Sequence, residues 1–140
     1  MNFTLHPDLI RDGIPMGDFA LCQVLLINDA HYPWFVLVPK RADISDTIDL
    51  DSKDHAQLWA ESRLFSKAIM AAFDGDKLNV AALGNMTPQL HIHHIVRFKT
   101  DGAWPGPIWG KHPLKPYNAA QITDIHMRLA RQKIHGFHAA

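Results

Sequence analysis

At 140 residues, with 14 Lys+Arg balanced by 14 Asp+Glu, the chain has no global basic field of the kind that holds a nucleic-acid backbone. Its 47% hydrophobic and 20% charged residues are ordinary for one globular domain with a real core, expected here to span residues 1–140. No apolar stretch approaches the roughly 20 residues that cross a bilayer, and one cysteine, Cys22, excludes an internal disulfide and fits a reducing compartment.

In chain order, Met1-Asn2-Phe3-Thr4 lacks a basic region followed by a long apolar one, so no signal peptide is expected and the expected compartment is the cytoplasm. The segment from His6 to Gly13 predicts a short helical turn, with Pro7 early and Gly13 as its stop. Residues 19–27 predict a mostly buried strand, followed by a turn at Asn28-Asp29-Ala30. Residues 34–38 predict a second strand, ended by Pro39, and the short spacing makes the two an antiparallel pair. Asp51 or Ser52 caps a helix running to about residue 73, with Gly75 as the C-terminal stop. Within it Leu58, Phe65, Ile69 and Ala72 recur at helical spacing, and Trp59, Met70 and Phe73 widen the stripe. Strands are expected at 78–83 and 89–98, joined by Gly84-Asn85-Met86-Thr87-Pro88. A capping-box pattern from Asn118 to Gln121 opens a last helix with Ile122, Ile125 and Leu129 inward. This order predicts an α+β fold: a mostly antiparallel sheet with one long helix and a C-terminal helix.

The run Gln89-Leu90-His91-Ile92-His93-His94-Ile95-Val96-Arg97-Phe98 carries the strongest chemical signal. With strand alternation, Leu90, Ile92, Val96 and Phe98 share one face with His94, while Gln89, His91, His93, Ile95, Arg97 and Lys99 share the other. Two imidazoles followed by two cations on one face suit an anion, and phosphate is the natural candidate. A neutral imidazole is a good nucleophile. A second one two residues along lies about 7 Å away by backbone rise, within reach of the same phosphate or of its leaving group. Arg97 and Lys99 add positive potential if the strand stays regular, and Asn85 and Thr87 offer donors to a phosphate or ribose. A metal site is the second reading, because His-x-His presents two nitrogen ligands. It lacks an evident third ligand: no Asp or Glu lies between Asp76 and Asp101, and no spacing recommends His112, His126, His135 or His138. Ordinary sheet histidines are the third reading. His94 points to the apolar face and is expected to be a hydrogen-bonded core or edge residue.

At these residues the sequence resembles the histidine-triad (HIT) family of nucleotide hydrolases and transferases, whose motif is H-φ-H-φ-H-φ-φ, with φ hydrophobic. The likeness extends over about residues 15–110. It includes Asn28-Asp29, the stretch Phe35-Val36-Leu37-Val38-Pro39-Lys40, the long helix and Trp104-Pro105-Gly106. The resemblance implies that His91 attacks an α-phosphate and becomes transiently nucleotidylated, and that His93 contacts phosphate oxygens and the leaving group. It implies nucleotide-binding roles for Asn28 at the ribose, for Asn85 and Thr87 at the phosphate, and for Gln89 as an orienting residue in place of the first triad histidine. Trp34 stands where a histidine is often found. The implied protein is a homodimer acting on a small-molecule nucleotide, a dinucleoside polyphosphate or a nucleoside phosphoramidate. No cofactor or bound metal is required, although magnesium can accompany a polyphosphate. Neither nucleic acid nor membrane is an expected partner. A nucleotide-binding protein that has lost catalysis, marked by Gln89 and Trp34, is the rival on the same fold. The segment Trp104–110 either flanks a nucleobase or packs as a surface loop on its own tryptophans.

Overall fold

In the computed structural model, which describes residues 3–140, the chain begins with α1 (Pro7–Asp12). The His6 side chain caps it by accepting from the Asp8 N–H, and Gly13 ends it. Met1 and Asn2, half of the segment read for a leader peptide, lie outside the described residues. A strand that the sequence did not announce follows, β1 (Gly13–Asp18). Its two glycines and Pro15 mask the signal. Pro15 is tolerated because the chain's last strand, on the outer side of β1, pairs only with Gly17 and Asp18. A tight turn comes next, with the Phe19 N–H donating to the Cys22 carbonyl, so β2 (Cys22–Ile27) begins later than expected.

β3 (Trp34–Pro39) pairs antiparallel with β2 as predicted. α2 (Ser52–Phe73) is capped by Asp51, whose carboxylate accepts from the Asp54 N–H. Its stop differs from expectation: Asp74, not Gly75, adopts the left-handed conformation, at φ 51°. Aspartate is among the few side chains that tolerate it. Gly75 instead permits close packing, since a Cβ there would run into Val96.

β4 (Lys77–Ala81) and β5 (Ile92–Arg97) are shorter than predicted. The β3–β5 ladder ends at Leu37 and Ile92, and the Leu90 N–H donates to the Ile44 carbonyl instead, so Gln89, Leu90 and His91 leave the sheet. α3 (Ala119–Arg131) opens on the reciprocal cap of Asn118 and Gln121, and β6 (His138–Ala139) closes the chain. Among the described residues the result is a six-stranded antiparallel sheet in the order β4-β5-β3-β2-β1-β6 with three α-helices, an α+β fold. Among the described residues no helix is long and apolar enough to cross a membrane.

One sheet face meets α2 and α3: Leu58, Phe65 and Ile69 pack with Val24, Leu26, Phe35, Leu37, Ile92 and Val96, and Ile125 and Leu129 join them. Trp59, expected in this stripe, is 38% exposed. The buried face of α2 includes Glu61 and Ser62 instead. The Glu61 carboxylate accepts from the Leu21 and Cys22 N–H groups at 2.9 and 2.8 Å, satisfying donors at the turn into β2. Ser62 Oγ bonds His94 Nε2 at 2.7 Å, and His94 Nδ1 donates to the Ile92 carbonyl. His94 is therefore a fully buried, hydrogen-bonded core residue, and burial pushes its pKa down to about 4.

On the opposite face Leu9 packs on Leu25, Ile27, Val36 and Val38, while Tyr32 and Ile108 cover Ile95. Here the expectation that Arg97 and Lys99 would lend positive potential to a phosphate is corrected. Arg97 is 2% exposed, and its guanidinium clasps Asp101 at 2.8 and 3.0 Å. It also donates to Asn79 Oδ1 and the Gly106 carbonyl and lies near the rings of Tyr32 and Trp104. Its donors are spent on anchoring the loop at 101–109. Lys99 lies beyond the end of β5, where its N–H donates to Asp76. Burial alone would raise the pKa of Asp101, but Arg97 and the Phe98 and Ala103 N–H groups outweigh it and hold it at about 2.

Two outcomes follow. Replacing Arg97 by Met leaves Asp101 buried and unpaired, so urea denaturation should show a loss of about 3–5 kcal/mol; a loss below about 1 kcal/mol would contradict the anchoring role. His93, like His94, titrates at about 4 in the folded chain, below the ordinary 6.5, because burial disfavours its charged form. The unfolded chain therefore binds these protons first as pH falls. Stability should be full above pH 6.5 and decline between pH 6.5 and 4, by up to about 3 kcal/mol per histidine. Denaturation midpoints at pH 7 and pH 5 check this, and a midpoint that does not fall would contradict it.

Candidate functional site

His93 belongs to β5, whereas His91 stands just before it, on the segment that leaves the sheet. This bend brings the rings closer than a regular strand would, to 4.9 Å between centroids in an edge-to-face arrangement. Both residues are nearly buried, at 7% and 6% exposure, and both line a cavity of about 330 Å³. Trp34, Trp109 and the turn from Leu83 to Thr87 complete it. A narrower chamber of about 120 Å³ adjoins the same two histidines and is lined by Asp8, Leu9 and Asp12 of α1.

The two imidazoles are held differently. Nδ1 of His91 lies 2.8 Å from the Gln89 carbonyl, an acceptor, so this nitrogen carries the proton. Nε2 is then the lone-pair nitrogen, and among the described residues it has no hydrogen-bond partner. Gly84 lets the ring sit where it does: a Cβ at that position would lie 2.9 Å from His91 Cε1. His93 has both nitrogens occupied. Its Nε2–H donates to the Leu83 carbonyl at 2.7 Å, and its Nδ1 accepts from the Trp34 indole N–H at 3.0 Å. Trp109 sets its ring edge-to-face on His93 at 5.2 Å, and its own indole N–H is buried without a partner among the described residues. Arg97 places this tryptophan by anchoring the loop that carries it.

The other sequence-derived candidates divide. Asn85 and Thr87 line the cavity beside His91, with the Thr87 hydroxyl donating to Asp8 at 2.8 Å. The Gln89 side chain faces away, accepting from the His6 N–H and donating to the Thr4 carbonyl. It touches His91 only through its backbone carbonyl. Asn28 is not part of the cavity wall: its side chain accepts from the Tyr117 N–H, and its own N–H donates to the Asp12 carbonyl. Asp8 and Asp12 were not anticipated, because a six-residue helix on the far side of the sequence carries no periodic signal toward a histidine strand. A larger cavity, about 590 Å³, lies between α3 and the turn at Tyr32-Pro33 and contains none of the candidates. Among the described residues, no group of three or more His, Cys, Asp or Glu side chains is placed to hold a metal ion.

The chain's residues 13–100 match the family model of the HIT domain. A histidine triad protein of Bradyrhizobium japonicum, known from its crystal structure, is 43% identical, with 94% of this chain and 98% of that chain covered and a TM-score of 0.92. One from Marinobacter aquaeolei VT8 is 46% identical over 93% of this chain and 95% of that chain, with a TM-score of 0.90. A third, from Sinorhizobium meliloti 1021, is 40% identical over 94% and 97%, with a TM-score of 0.91. Among curated proteins none matches this chain. Identity at this level along nearly the whole length, the matched domain model and the paired histidines agree: the chain belongs to the HIT domain family.

Proposed function

We propose that the protein is a nucleotide hydrolase or transferase that cleaves at the α-phosphate of a nucleotide derivative through a nucleotidyl-histidine. The observation that carries this reading is the His91 ring. Its Nδ1–H is tied to the Gln89 carbonyl, so that in the neutral ring Nε2 carries the lone pair, and the residue lines a cavity of about 330 Å³. A hydrogen bond from Nδ1 to a carbonyl also stabilises the positive charge that the ring acquires on attack. Membership of the HIT family supports nucleotide-directed hydrolase or transferase chemistry in general. The substrate classes in view are dinucleoside polyphosphates and nucleoside phosphoramidates.

The step is a double displacement. His91 Nε2 bonds to phosphorus and the bond to the leaving group breaks with its electron pair; water oxygen then bonds to phosphorus, the P–N bond pair returns to Nε2, and the nucleoside monophosphate departs with the water's proton released to solvent. Asn85 and Thr87 stand where a phosphate oxygen or ribose would lie; Trp109 and Trp34 offer aromatic surface beside it. The nucleophile is a side chain, so the reaction needs no metal-bound hydroxide, and magnesium would act only on a polyphosphate substrate. The working unit in this reading is a cytoplasmic homodimer formed through α2 and the exposed edge strand β4.

Replacing His91 by Ala should lower kcat by about 10³-fold or more and abolish the covalent adduct seen by mass spectrometry of acid-quenched enzyme. Full activity in that variant would exclude the mechanism. If instead wild-type protein binds nucleoside monophosphate but turns nothing over, the chain is a binding protein on this fold. Gly84→Ala should push the His91 ring aside and cost about tenfold to a hundredfold in kcat/KM; an unchanged rate in folded protein would show that the ring's position there is not critical.

A further inference from the structure

We infer that Trp34 determines the leaving-group specificity of the site, by holding His93 as a neutral ring that donates no proton, so that only groups departing as anions are released. The inference rests on the reading of His91 as nucleophile and narrows it to phosphoric anhydrides and mixed carboxylic–phosphoric anhydrides, excluding phosphoramidates.

The argument is one of donors and acceptors. An imidazole acts as an acid only when both nitrogens carry protons. His93 Nε2 already has its proton on the Leu83 carbonyl, and Nδ1 faces the Trp34 indole N–H. Indole nitrogen is a donor only, with no lone pair to offer. A proton on Nδ1 would point at another N–H, in a nearly buried pocket where no water can take its place cheaply. Burial acts in the same direction, bringing the pKa of His93 down to about 4, so the two influences agree. A hydroxyl, amide or second imidazole at position 34 could accept a hydrogen bond; tryptophan cannot.

Among the described residues lining the site, no other group takes over the task. His91 uses Nδ1–H on Gln89 and Nε2 on phosphorus. The Thr87 hydroxyl is committed to Asp8, whose other oxygen faces Arg11, and Arg11 also holds the Asp12 carboxylate. Asn85 has no acidic proton.

The bonds then balance as follows. The His91 Nε2 lone pair forms N–P. In an anhydride the P–O bond pair goes to oxygen, which leaves as carboxylate or phosphate with no proton needed. In a phosphoramidate the P–N bond pair would go to nitrogen, and an amine departs only if a proton reaches it in the transition state. General acid assistance of this kind is worth about 10²–10⁴-fold.

The test compares adenosine monophosphate derivatives that differ only in leaving group: an acyl anhydride, a diadenosine polyphosphate and the simple phosphoramidate. Wild-type protein should favour both anhydrides over the phosphoramidate by about 10³-fold in kcat/KM. Trp34→Phe, which keeps the ring but removes the N–H, and Trp34→His, which can accept, should each move that ratio at least about tenfold toward the phosphoramidate. In ¹⁵N NMR the His93 ring should be an Nε2–H tautomer that does not titrate near 6.5 in wild type and begins to titrate in the variants. Comparable turnover of all three substrates by wild type would overturn the inference while leaving His91 as nucleophile. So would an unchanged ratio in both folded variants, or a wild-type His93 that titrates near 6.5. Failure of every substrate, with no adduct on His91, would overturn the nucleophile reading itself together with what rests on it.

Discussion

A strand buried on both faces must find a hydrogen-bond partner for every polar side chain it carries, because water is not there to supply one. β5 is such a strand, and of its six residues His93, His94 and Arg97 are polar. The surrounding structure is arranged to meet this constraint. α2 supplies Ser62 to His94, and the loop at 101–109 supplies Asp101 and the Gly106 carbonyl to Arg97. β3 supplies the Trp34 indole to His93. The placement of that loop, and of Trp109 over the histidines, follows from satisfying Arg97 rather than from any preference of the loop itself.

The same requirement separates the two site histidines. His93, inside the sheet, is saturated by its neighbours, whereas His91, one turn of the ladder earlier, answers only to the carbonyl two residues before it. Identical side chains two positions apart thus acquire different chemistry from where the sheet ends. The departure of the chain at Leu90, whose N–H goes to Ile44, is what exposes one imidazole nitrogen to the cavity. The charge balance of the cavity follows as well: with Arg97 held by Asp101 and Lys99 beyond the end of β5, the polar lining is of amide, hydroxyl, imidazole and carboxylate groups, and in the proposed reaction the phosphate would meet His91, Asn85, Thr87 and the backbone of the turn.

Much of the fold was legible. Short apolar runs bounded by turn residues located β2 and β3, alternation located the core of β5, and helical spacing with Asp51 and Asn118 as caps located α2 and α3. What escaped has physical reasons. β1 was hidden because Gly13, Pro15 and Gly17 carry no strand preference and pair only because β2 lies beside them. Trp59 was placed in the core by its hydrophobicity, while Glu61 went in, because a turn elsewhere in the chain needed an acceptor for two backbone N–H groups. Propensity counts side chains; it does not count unsatisfied donors 40 and 39 residues away in sequence and adjacent in space.

The sequence by itself determined that His93 and His94 would lie on opposite faces of one strand and that His94 would turn inward among apolar residues. Those conclusions need only the two-residue alternation of a strand and the identity of the side chains. Tertiary structure decided what each of them could do. The tautomer of a histidine, the loss of Arg97 to an ion pair and the turning of Gln89 toward Thr4 depend on partners far away in the chain. Hydrogen bonds are directional and short-ranged, so the role of a polar side chain is settled by the atoms within about 3 Å of it, which one-dimensional spacing does not specify.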